Sequence, residues 1–269
     1  ALVSVGVVIV TLILIAGVSL PDGKLHVIAL DVGEGSATLI QTPSGRHILI
    51  DAGGDGRTLS AAIGGRLPFW KRKIDVVIIT QPTQASNAGL RTLAERYEIP
   101  LLVTSNIEAG PLATSGQDEL KAKGTKQEIA APGMIIQVGD GAIVTMLNSP
   151  ASLSNNDSSE PISLLVSYGE LRIVLPGDIS SSGAKAVLQA SGSPLWVIPS
   201  GESALLTDGT FLSQMAPQVV IIRDNANQAI DTTTLAKVIE GGHIAYPLSK
   251  HGSVELITDG ARVWIMVDR

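Results

Sequence analysis

The sequence predicts an α/β (α+β) domain in which helices pack on two β-sheets, preceded by one transmembrane helix. Three observations carry this reading. Residues 1–20 (ALVSVGVVIVTLILIAGVSL) hold no charged side chain, and at about 1.5 Å rise per residue they can cross a hydrocarbon layer of roughly 30 Å. Short β-rich runs joined by Gly- and Pro-bearing turns open and close the rest of the chain as meanders. Between the meanders strands alternate with amphipathic helices, which argues against a simple doubly wound sheet.

In the first segment Ser4, Thr11 and Ser19 are the only polar side chains, and their hydroxyls can bond back to the helix backbone. Pro21, Asp22 and Gly23 end it in a turn. A secretory signal would need a basic leading region and a shorter apolar core, and neither is present. The expected organisation is therefore a membrane helix over 1–20 and one domain over 21–269, anchored in the cytoplasmic membrane by lipid contact of residues 1–20. The chain begins at Ala with no Lys or Arg before the span. That suits a piece of a longer membrane protein and leaves the side of the membrane unassigned.

Strands are expected at Lys24–Asp31, Ala37–Thr42 and His47–Asp51, with Gly-Glu-Gly and Pro-Ser-Gly turns between them. Lys73–Thr80 (KIDVVIIT) is nearly continuous in apolar residues, as in a strand buried on both faces. A helix over Asn87–Tyr97 and a strand over Leu101–Thr104 follow. Met134–Val138 and Ala142–Leu147 form a hairpin around Gly139-Asp140-Gly141, and Ser152–Glu160 is a polar loop. Ser163–Tyr168 and Leu171–Leu175 pair across Gly169-Glu170. A helix at about Ser181–Ala190, strands at Leu195–Ile198 and Val219–Ile222, and a helix at Thr232–Glu240 continue the alternation. Val254–Thr258 and Arg262–Val267 close the chain as a hairpin on Asp259-Gly260.

Composition removes whole classes of function. The absence of Cys excludes disulfides, thiolate metal sites and cysteine nucleophiles. The formal net charge of −6 gives no overall footprint for binding phosphates. Aromatic residues make up 3% of the chain, too few for single-strand stacking platforms. Phe69-Trp70-Lys71-Arg72-Lys73 is the one basic cluster with aromatics, so DNA contact by this domain is expected to be weak. His26, His47, His243 and His251 are never two or four apart, so no pair shares a strand or helix face. Lys250-His251-Gly252-Ser253 is read as a decoy rather than a ligand motif.

The run LDVGEGSATLIQTPSGRHILIDAGG (Leu30–Gly54) resembles the opening of the metallo-β-lactamase-fold C-terminal domain of ComEC-type DNA-internalisation competence proteins. Those read L-D-V-G-Q-G-D-x-x-L-I-x-T-P-x-G-x-x-x-L-I-D-x-G. LPFWKRKIDVVIIT, SYGELRIVLPGDIS and VELITDGARVWI resemble later stretches of the same domain, so the likeness runs along the chain in order. It implies an αββα sandwich and a part in taking up single-stranded DNA across the cytoplasmic membrane.

The departures bear on chemistry. Where the family's metal loop reads T-H-x-D-x-D-H, this chain has Thr80, Gln81, Pro82, Thr83, Gln84, Ala85 and Ser86. Ser200 and Gly201 fall where the resemblance places a His pair, and the late His element near Asn227–Thr232 holds no His. Asp178, in LPGDIS, is the one retained ligand, while Asp31 and Asp51 persist at strand ends. Asp31, Asp51, Gln81, Thr83, Ala85, Ser86, Asp178, Ser200 and Gly201 are thus expected to line a vestigial site with no catalytic, cofactor or metal role. One carboxylate cannot hold a pair of hard divalent ions. The resemblance then implies a pseudoenzyme of the metallo-β-lactamase superfamily, working beside other membrane-protein segments or subunits. Two alternatives stand: a single-span accessory subunit that uses the dead fold as a scaffold for protein binding, and an active hydrolase with relocated ligands.

Overall fold

The computed structural model describes residues 21–68, 70–81, 83–105, 111–137, 139–147, 161–177, 184, 187–189, 191, 194, 196–199, 203, 205–206 and 210–269. The described strands form two sheets. In one, β1 (Leu25–Ala29), β2 (Thr38–Gln41), β3 (His47–Ile50), β4 (Val76–Ile79), β5 (Leu101–Thr104) and β6 (Lys126–Ile129) are joined by β14 (Val254–Thr258) and β15 (Val263–Val267) in the order β15-β14-β1-β2-β3-β4-β5-β6. In the other, β7 (Ile135–Gln137), β8 (Ile143–Met146), β9 (Leu164–Tyr168), β10 (Leu171–Leu175), β11 (Trp196–Val197), β12 (Val219–Ile222) and β13 (Ile244–Pro247) run in the order β13-β12-β11-β10-β9-β8-β7.

Strict alternation sorts the side chains into layers, because successive residues of a strand face opposite ways. Val27, Ile40, Ile48, Ile50, Val76 and Ile78 of the first sheet meet Val144, Leu164, Ile173, Leu175, Val219 and Ile221 of the second in one dry core. The intervening residues Leu39, Leu49, Val77, Ile79 and Leu102 face outward, under α1 (Gly56–Gly64), α3 (Leu90–Arg96) and α4 (Pro111–Ala122). On the second sheet Val174, Val197, Val220 and Ile222 face α5 (Thr210–Met215) and α6 (Thr232–Glu240). The architecture is an αββα sandwich. The fully buried VVII runs of β4 and β12 are apolar throughout because each face meets a different layer.

Most expected elements fall where the periodicity puts them, α6 over Thr232–Glu240 among them. The helix expected over Asn87–Tyr97 is two: α2 (Gln84–Asn87) and α3, separated at Gly89. A Cβ at Gly89 would lie 2.5 Å from Leu59 Cδ2 and 3.1 Å from the Ala52 carbonyl oxygen, so the bend lets α1 and the loop after β3 pack against it. Both sheets are mixed: among the described strands, four of the seven pairings in the first and three of the six in the second are antiparallel. β3 through β6 and β10 through β13 run parallel, since helical crossovers between them force that direction. Among the described residues no helix is long and apolar enough to cross a membrane. The transmembrane helix expected over 1–20, the Ser152–Glu160 loop and most of the Ser181–Ala190 helix lie outside the described residues.

Candidate functional site

Parallel strands of the two sheets end at one rim of the sandwich, the position where α/β folds place ligands. Asp51 follows β3, Thr80 follows β4, and Arg223 follows β12. Asp51 takes a positive φ of 60°, a conformation that Asp tolerates better than most L residues. Its backbone N–H donates to the Ile78 carbonyl at 2.8 Å, and the next residue, Ala52, donates to the Ser86 carbonyl at 2.7 Å. The strand end is thereby tied to β4 and to α2.

The Asp51 side chain is 2% exposed and is surrounded by donors. Thr80 N–H donates to Oδ1 at 2.8 Å, and the Thr80 hydroxyl lies 2.9 Å from both carboxylate oxygens. Ser36 Oγ donates to Oδ2 at 2.9 Å. Arg223, with a side chain only 7% exposed, brings Nη1 to 3.8 Å from Oδ2 across the inter-sheet boundary. Burial pushes the Asp51 carboxyl above its ordinary value, while the Arg223 charge and the Thr80 and Ser36 hydrogen bonds pull it back in part. Beside this pair Asp224 accepts from Ser249 N–H at 2.9 Å, Ser249 Oγ at 2.7 Å and Ile230 N–H at 3.0 Å. It fastens the 224–230 loop to α7 (Leu248–His251).

The other expected positions divide. Gln81 is half-buried next to Thr80, Thr83 is exposed with its hydroxyl 3.5 Å from Ser86 Oγ, and Ser86 is buried. Ala85 belongs to α2. Asp31 is engaged elsewhere: Arg269 Nη2 lies 2.7 Å from its Oδ2, and its backbone N–H donates to Ser253 Oγ at 3.2 Å. Asp178, Ser200 and Gly201 lie outside the described residues. His251 Nδ1 sits 3.1 Å from the Pro247 carbonyl, and its ring meets Tyr246 edge-on.

Arg223 is the residue that sequence reasoning missed. It stands directly after four buried β residues in VVIIRDN, and a lone cation at the end of such a strand was the available signal.

Solved structures share this fold. The metallo-β-lactamase fold protein YhfI from Bacillus subtilis superposes with a TM-score of 0.57 over 89% of this chain and 99% of its own, at 12% identity. The chain has the metallo-β-lactamase fold. Zn²⁺-bound PqqB from Methylobacterium extorquens matches with a TM-score of 0.57 and 16% identity over 86% of this chain and 99% of that one. CmlA, a diiron β-hydroxylase from Streptomyces venezuelae, matches over 91% of this chain but 55% of its own length, with a TM-score of 0.56 and 14% identity. No protein-family model and no curated protein matches the chain.

The described donors at the rim do not by themselves fit a divalent ion. Among the described residues no three His, Asp or Glu side chains converge in a way that could hold a metal. Both oxygens of Asp51 already accept protein donors, and Arg223 places a permanent positive charge beside them.

Proposed function

We propose that this chain is a membrane-anchored, catalytically inactive metallo-β-lactamase-fold domain, the C-terminal part of a ComEC-type protein that brings single-stranded DNA through the cytoplasmic membrane. The observation that carries the inactive reading is the Arg223 guanidinium at the Asp51 carboxylate. A guanidinium stays charged at every working pH. At 4 Å and an effective dielectric of about 20, like charges repel by about 4 kcal/mol per unit-charge pair, so a cation seeking Asp51 meets an occupied partner. Gln81, Thr83 and Ser86 at the family's metal loop add amide and hydroxyl groups where imidazoles and carboxylates are needed. The DNA-uptake reading is supported by the ordered likeness of Leu30–Gly54 and the three later stretches, and by the apolar run before β1.

Two measurements test it. Elemental analysis of residues 21–269 after dialysis is expected to find well under one Zn, Mn or Fe per chain. Stoichiometric metal that is lost in Asp178→Ala overturns the inactive reading. In the source cell, deletion is expected to abolish internalisation of labelled DNA, and an Asp178→Ala copy to restore it in full. Unchanged uptake in the deletion strain overturns the transport role.

A further inference from the structure

Among the described residues, nothing fully covers the outer face of the eight-stranded sheet at one edge. β15 is the last strand there. Trp264 is opposite Ile257, itself opposite His26; Met266 is opposite Glu255, itself opposite Ile28. These two rows face the same side as α1, α3 and α4. Trp264 is nevertheless 39% and Met266 56% exposed. Lys24 Nζ lies 4.8 Å from the Trp264 ring centroid, and the Arg262 guanidinium carbon 5.5 Å from it. An exposed indole therefore stands beside two cations, of which Arg262 also pairs with Asp259 at 3.1 Å, and Met266 follows two positions along the same strand face.

The patch lies near Lys24, in the stretch 21–24 through which the chain leaves the uncharged run. Asp22, two residues after Leu20, accepts from Lys24 N–H at 3.0 Å, pairs with His26 Nε2 at 3.0 Å and with Lys24 Nζ at 3.9 Å. Pro21, three residues before Lys24 and close to Gly45 in the turn after β2, lies within about 11 Å of Lys24. We propose that Trp264, Met266, Lys24 and Arg262 form an anchor that sits in the lipid headgroup layer beside that exit. The proposal rests on the membrane-spanning reading of residues 1–20. Trp rings collect at headgroup depth because one edge is polar and the body apolar. Lys and Arg lay apolar stems along such a layer and reach the phosphates with their charges. The anchor sets which face of the sandwich looks at the membrane, and turns the rim bearing Asp51 and Arg223 to a defined angle against it.

The absence of Cys makes single labelling direct. A nitroxide is attached at Met266→Cys or, as an aqueous reference, at Ile239→Cys, on α6 of the other helical layer. The full chain is reconstituted in vesicles of equal parts phosphatidylcholine and phosphatidylglycerol. Power saturation then compares collision with oxygen and with a water-soluble nickel chelate. The oxygen-to-nickel ratio at position 266 is expected to exceed that at 239 several-fold, and to fall toward the reference value when Trp264→Ser is added. A chain that floats with the vesicles while 266 and 239 behave alike overturns the anchor and leaves the span intact. A chain that does not float with vesicles removes the span, and the anchor with it. Shielding of 266 from both reagents, with spin–spin broadening, puts a second copy on β15 in place of lipid and also overturns the proposal.

Discussion

The guanidinium of Arg223, at the end of β12, lies 3.8 Å from the carboxylate of Asp51, at the end of β3, and the two strands belong to different sheets. Below this point the sheets meet through apolar side chains, Trp196 and Met146 among them, which carry no charge to fix one sheet against the other. The ion pair fixes the sheets against one another at the rim. The Ile162 N–H donating to the Thr80 carbonyl at 2.9 Å holds the same place through the backbone. A carboxylate that binds metal must offer free lone pairs. Here they are taken up in holding the sandwich together.

Arg223→Ala is expected to lower stability by about 3 kcal/mol, because it leaves the Asp51 carboxylate buried without its countercharge. Urea denaturation of residues 21–269 measures it. The double variant Asp51→Asn/Arg223→Met is expected to recover part of the loss, since neither charge is then stranded. A single variant within about 0.5 kcal/mol of the parent, the ordinary range for a surface change, would deny the pair its structural role.

His47 sets an acid limit. It is 2% exposed and neither ring nitrogen has a hydrogen-bond partner. Burial, with some help from Lys71 and against Asp75, lowers its pKa from 6.5 to about 4. The unfolded chain therefore binds a proton that the folded chain refuses. Stability is full above pH 6.5 and is lost as pH falls from there toward 4, by about 3 kcal/mol in all at 1.36 kcal/mol per pH unit. His47→Leu is expected to flatten that part of the stability–pH curve.

His26 works in the opposite sense. Burial disfavours its charged form, but hydrogen bonds to Glu255 at 2.7 Å and Asp22 at 3.0 Å, and their charges, outweigh burial and raise its pKa. The stabilisation is complete below pH 6.5 and disappears as pH rises through the folded value. His26→Gln is expected to lose stability at pH 5.5 and little at pH 9, as chemical denaturation at about those two values would show. Equal losses at both would mean that the ring acts by packing, without its charge.

How far the fold was legible follows from these residues. β4, β12 and α6 were plain because uninterrupted apolar runs and a 3.6-residue period admit few other conformations. β6 (KQEI) and β13 (IAYP) were hidden: both are edge strands, β6 largely exposed and β13 ending in Pro247, so neither shows alternation. α1 had its signals in Asp55, which caps Arg57 and Thr58 N–H, and in Leu59 and Ile63 four residues apart, yet the glycines around both ends masked them. At the rim, Asp51 and the Thr80 loop could be found by likeness to a known motif. Arg223 could not, because its partner lies 172 positions away (223 − 51) and only the closing of two sheets brings them together.

Residues 1–20 are expected to carry the chain into membranes, while a chain starting at Lys24 stays in solution. Leu, Ile and Val near a helix centre each favour insertion by roughly 0.3–0.6 kcal/mol, and three hydroxyls do not offset that sum. Flotation with vesicles, compared between the two chains, measures it. Equal behaviour of both would remove the membrane span.

The isolated domain is expected to cleave no DNA and to bind it weakly. Phosphodiester hydrolysis in this fold would need a metal-bound hydroxide and a Lewis acid on the phosphoryl oxygen, and the described rim residues are Asp51, Thr80, Gln81, Ser86 and an arginine. The net charge of −6 repels a polyanion. Of the basic cluster, Lys71 Nζ donates to the Gly45 carbonyl at 3.0 Å and Lys73 Nζ lies 3.6 Å from Asp75, so two of its three cations already have partners. Even three neutralised phosphates would give a log–log salt slope of only about −2 on single strands. Single- and double-stranded DNA incubated with residues 21–269 and Mg²⁺, Mn²⁺ or Zn²⁺ should remain intact, and binding should vanish at moderate salt. Cleavage that disappears in Asp178→Ala would make the chain a working nuclease. Tight binding insensitive to salt would locate a nucleic-acid surface that depends on contacts other than phosphate charge.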